Sequence, residues 1–117
     1  MTELQQELVG TQLKIIKLGE ELRLKGLSFT NAHARLRSLS AHEAILQNRL
    51  KKSQDTKEDT MRIELRIKQA TARRSFRQID FVKCAIAYNG ARQSYLEELS
   101  KCEGIKCQLI QQTNPQR

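Results

Sequence analysis

Apolar positions in the first half of the chain recur in steps of four and three. From Leu4 the steps land on Leu8, Thr11, Ile15, Leu18, Leu22, Lys25, Phe29, Ala32, Leu36, Leu39, Glu43, Leu46 and Leu50, and 11 of these 14 positions are apolar. This is the narrow a/d seam of a coiled coil, not the broad face of a globular helix. The polar run from Lys51 to Thr56 interrupts the repeat. Within it, Asp55 followed three residues later by Glu58 has the form of a helix N-cap with a capping box, with Thr56 and Asp59 as the alternative frame.

The pattern predicts an all-α fold with a helix over 2–52, a turn over 53–55, a helix over 56–111 and a polar tail over 112–117. The two helices would form one domain, a long antiparallel coiled-coil hairpin suited to a larger helical bundle or assembly. A compact three- or four-helix bundle is the alternative, with helix 1 breaking near Gly26 and helix 2 near Gly90. The seam keeps its phase from Leu22 through Phe29 to Leu36, and an intervening loop would have no reason to preserve it. Folding back at 53–55 sets Leu46 near Met61, Phe29 near Ile79 and Thr11 near Leu96. In that register Glu43 lies near Glu64 and Leu65, within reach of Arg62 or Arg66, and Lys25 takes a core-type position from which its long stem extends the head to solvent, an acidic group from another chain being the alternative partner.

The second half of the chain carries two apolar stripes about half a turn apart. One comprises Met61, Leu65, Ala72, Ile79, Val82, Ile86, Leu96, Cys107 and Ile110, and is assigned to the first helix. The other contains Ile63, Ile67, Phe81, Cys84, Tyr88, Tyr95 and Ile105, and is assigned to a partner. One antiparallel neighbour cannot cover both. Tyr88 and Tyr95 suit an interface because each joins an apolar body to a polar tip. A smaller second stripe, Val9, Leu13, Ile16, Leu24 and Leu27, occurs on the first helix.

Composition adds limits. At 117 residues with 4% aromatic residues and no Trp, the chain lacks the material for a large globular core. The net charge is +8, and 11 Lys/Arg against 5 Asp/Glu fall between Arg49 and Lys83. Arg62, Arg66, Arg73 and Arg77 lie within about 60° of one another on a helix, a ridge that would attract an acidic surface such as an acidic polymer, nucleic-acid backbone or anionic lipid. No aromatic residues interleave with them as in a single-strand stacking platform.

Catalytic and ligand chemistry find little support. Cys84, Cys102 and Cys107 form an odd set that reads as reduced, small apolar fillers, and Cys102 and Cys107 lack the further ligands of a zinc site. His33 and His42 are nine residues apart, not the spacing of a shared helical metal site. The expectation is therefore no enzyme, no cofactor and no metal. No stretch approaches the roughly 20 apolar residues of a membrane span, which suggests an intracellular chain of the cytoplasm or cytoskeleton. In shape alone, a basic hairpin of this size is similar to the arms of some tRNA synthetases and to hairpins of cytoskeletal and tethering assemblies. The leading expectation is a non-enzymatic scaffold or adaptor subunit, cytoskeletal or axonemal in type, that binds protein partners as a homo- or hetero-oligomer. A basic nucleic-acid-binding arm and a small compact helical regulator are the alternatives.

Overall fold

A computed structural model describes residues 1–52 and 57–113. Its elements are two helices, α1 (Glu3–Lys52) and α2 (Lys57–Thr113), and among the described residues only Met1 and Thr2 lie outside them. The fold is an all-α antiparallel helical hairpin. The expected turn over 53–55, its capping box at Asp55 and the end of the polar tail lie outside the described residues. The helical part of α2 extends through Gln112 and Thr113, where the Thr113 hydroxyl donates to the Leu109 carbonyl at 2.8 Å.

The start of α1 is a capping box. Thr2 Oγ1 accepts from the Gln5 amide at 3.2 Å, and Gln5 Oε1 accepts from the Thr2 amide at 2.9 Å, so two otherwise orphan donors are satisfied. Both helices then run without a break. No glycine has positive φ, and neither Gly26 nor Gly90 ends a helix, so the breaks needed for a three- or four-helix bundle are not made.

Contacts divide the chain into two units, one formed by Met1–Leu27 with Ile86–Arg117 and the other by Ser28–Ala85. In the first unit the glycines meet the tyrosines. The ring of Tyr95 lies 3.4 Å from where a Cβ on Gly19 would sit, and the ring of Tyr88 stands at the same distance from Gly26. Gly19 and Gly26 are seven residues apart, as are Tyr88 and Tyr95, so two flat rings rest on two side-chain-free patches one heptad apart. Thr11, Cys102 and Ile105 are buried in this unit, and the Thr11 hydroxyl donates to the Glu7 carbonyl at 2.8 Å, which lets a polar residue occupy the seam.

The second unit is centred on aromatic and aliphatic packing. Phe29 and Phe81 stack in a tilted pair with ring centroids 5.2 Å apart, and His33 caps Phe81 at 5.5 Å. Ala32, Leu46 and Ala70 are buried. Among the described residues no side chain is more than 98% buried, because two helices enclose only a line of contact between them.

These contacts correct the expected pairing in three ways. Gly26 takes the seam position between Leu22 and Phe29, and Lys25 points to solvent. The register is displaced by about one heptad, since the expected pairing sets position 26 level with Phe81 and the structure sets it against Tyr88. Most importantly, the two stripes of α2 are exchanged. Ile63, Ile67, Phe81, Cys84, Tyr88, Tyr95 and Ile105, expected to face a partner, are half-buried or buried along the seam with α1. The stripe expected to face α1 is the exposed one. The physical reason is shape. The inward stripe offers tyrosines at the spacing of the α1 glycines, and the outward stripe has no ring at all in the corresponding stretch.

Candidate interaction faces

The outer face of α2 carries Met61, Leu65, Ile79 and Val82 in the second unit, 48–61% exposed, and Phe76 beside them at 73%. Steps of four and three from Met61 give Leu65, Lys68, Ala72, Ser75, Ile79 and Val82. This is a second coiled-coil seam with two polar slots, Lys68 and Ser75. In the first unit Ile86, Leu96 and Ile110 are exposed on α2, and Val9, Leu13, Ile16, Leu24 and Leu27 on α1. Exposed apolar residues are normal singly, but rows at seam spacing mark interaction surfaces.

Charge is divided unevenly. The Ser28–Ala85 unit holds 13 Lys/Arg and 6 Asp/Glu, net +7, and the other unit holds 8 and 7, net +1. The four expected arginines border different surroundings. Arg62 and Arg66 line a groove of about 710 Å³ with Arg49 and Lys52 of α1, Ile45, Ile63 and Asp59. Arg73 and Arg77 lie beside Leu39, Phe76 and Asp80, where Arg77 bridges Asp80 at 3.4 Å. All four are exposed. Within about one turn of helix, cations and an exposed aromatic ring therefore share a border.

Among the described residues Glu43 and Glu98, one in each unit, sit in the seam and are satisfied differently. Glu43 accepts from Thr71 Oγ1 at 2.9 Å through one oxygen and from Arg74 Nε through the other. The Arg74 hydrogen bond, followed by that from Thr71, holds its carboxyl below the ordinary value of 4.5. The expected partners Arg62 and Arg66 are not the ones used. Sequence reasoning passed over Arg74 and Thr71, although Thr71 and Arg74 are three apart and so share a helical face with one α1 level. Glu98, in the other unit, is bridged by Lys14 at 3.2 Å through one oxygen, and its second oxygen is buried without a hydrogen bond among the described residues.

The three cysteines are free: Cys102 is buried, Cys84 half-buried and Cys107 exposed on the opposite side of α2. Among the described residues no three His, Cys, Asp or Glu side chains converge as a metal site, and no helix is long and apolar enough to cross a membrane. Comparisons with protein-family models, with curated proteins and with solved structures return no match.

Proposed function

We propose that the protein is a non-enzymatic scaffold or adaptor subunit that binds a helix of a partner protein along the outer face of α2. The observation that carries this reading is the exposed 4-3 row Met61, Leu65, Ala72, Ile79 and Val82, on a helix whose opposite row is already used by α1. A seam left open on one side of a hairpin has the geometry needed to accept a further helix, and burying its side chains contributes about 25 cal/mol per Å² of apolar area removed from water. Cytoskeletal or axonemal assemblies, built from long helices in register, are the setting this geometry suits.

Anisotropy titration of a labelled peptide of about four heptads, with Leu and Ile at seam spacing, tests the reading on the whole chain. Binding is expected, together with at least a tenfold weakening by Leu65→Glu with Ile79→Glu at unchanged helix content by circular dichroism. Binding that survives that double substitution would sink the proposed face.

The charge of the Ser28–Ala85 unit favours a second reading, a nucleic-acid-binding arm. It requires affinity for RNA or DNA that falls steeply with salt, and loss of that affinity on replacing Arg62, Arg66, Arg73 and Arg77 by Gln.

A further inference from the structure

Resting on the helix-docking reading above, we infer that the helix accepted by the outer face of α2 is acidic, with carboxylates along one edge of its apolar seam. The argument comes from the two borders of the exposed row. One border carries Arg62, Gln69, the Phe76 ring and Lys83 at the positions that flank a coiled-coil seam, with Arg66 and Arg73 one step further out on the same side. These six are exposed. Asp59 and Asp80 interrupt this border, and Asp80 is engaged by Arg77. The other border carries Glu64, Thr71 and Gln78 and is nearly neutral. Lys68, inside the row, adds a further cation. Flanking positions set partner choice in coiled coils because their charges lie against those of the incoming helix.

The same borders disfavour a second copy of the chain. Antiparallel self-pairing centred on Ala72 brings the Arg62 end of one copy against the Lys83 end of the other. Parallel self-pairing sets Lys68 against Lys68 within the seam and Arg62 of one copy against Lys57 of the other. Like charges so placed oppose association, whereas carboxylates at those levels relieve it. A membrane surface is a weaker fit, since the apolar row is narrow, contains Lys68 and Ser75, and is basic on one border only, unlike a helix that lies in an anionic bilayer.

The test uses the full chain and three labelled peptides of about four heptads each. All have the same length; one has an apolar seam with Glu at flanking positions, one the same seam with Lys, and one has Glu flanks with a Ser-substituted seam. Phosphatidylserine vesicles and a single-stranded RNA oligonucleotide are the comparison ligands. The apolar acidic peptide should bind at least tenfold tighter than the apolar basic one. That preference should shrink at about 0.5 M salt and on Arg62→Gln with Arg66→Gln and Arg73→Gln. Binding itself should be lost on Leu65→Glu with Ile79→Glu, and weakened by Ile79→Ser alone, a milder change that keeps the test usable if the double variant misfolds. Equal binding of the two apolar peptides, still sensitive to Ile79, overturns the acidic assignment and leaves docking standing. Failure of every seam-bearing peptide overturns both. Self-association that depends on Ile79, or preferential binding to vesicles or RNA, overturns the acidic helix in favour of that other occupant.

Discussion

The inner and outer faces of α2 are built from similar amounts of apolar material, yet one is packed and the other is open. The inner face carries Phe81, Tyr88 and Tyr95, and the outer face carries Met61, Leu65, Ile79 and Val82, which are as hydrophobic. Hydrophobicity therefore does not decide which face α1 covers. Complementarity does: two rings meet two glycines at the same spacing, Phe29 meets Phe81, and Glu43 finds both a hydroxyl and a guanidinium. The lesson is that a seam repeat specifies that a helix will pair, and the exceptions to the repeat specify with what.

The largest effect should come from the inner face. Tyr88→Asp with Tyr95→Asp removes both rings and places charge in the seam, and a loss of roughly 3 kcal/mol or more is expected, read as collapse of helical circular dichroism and a lower Tm. Charged replacement of Ile79 on the outer face should leave Tm nearly unchanged, so the pair of measurements separates the two faces. If both variants lose helicity alike, the contrast between the faces is wrong.

Glycine substitutions sharpen the comparison. Gly26→Leu drives a branched side chain into the Tyr88 ring and should destabilise by about 1–3 kcal/mol in a urea titration. Gly90→Ala should instead stabilise by about 1 kcal/mol, because nothing lies within 4 Å of the added methyl and Ala is the better helix former. Gly10→Ala and Gly104→Ala, equally open, should behave like Gly90→Ala.

A smaller effect is expected from pH. The Glu43 carboxyl has a lowered pKa in the folded chain, so the stability it contributes is fully present above its unfolded value and lost as pH falls through the folded one. Thermal melts of the wild type and Glu43→Gln should differ near neutral pH and converge in acid. Persistence of the difference at the lowest pH would show that charge is not what Glu43 contributes.

The hairpin was legible in the sequence because it depends on one periodic signal, the repeat from Leu4 to Leu50, and on the polar interruption after it. The second stripe was legible for the same reason. Which stripe faces inward was not, since counting apolar positions treats Tyr88 and Ile86 as equivalent. The signal was nevertheless present in the matching seven-residue spacings of Gly19 with Gly26 and Tyr88 with Tyr95, which also fix the register. Reading Gly26 only as a place where helix 1 could break concealed its use as a seat for a ring. The arginine ridge was legible as charge, but its division between the Arg49 groove and the Phe76 edge depends on where α1 lies.

The repeated glycine–tyrosine contact turns sliding between the helices into a question of discrete steps. A slip of one heptad in one direction sets Gly19 against Tyr88 and so keeps one of the two seats, whereas smaller slips keep neither. That same slip carries Glu43 away from Arg74 to the level of Glu64, where two carboxylates would face each other. The rings thus divide the arm into notches, and the half-buried Glu43 carboxylate acts as the vernier that tells neighbouring notches apart.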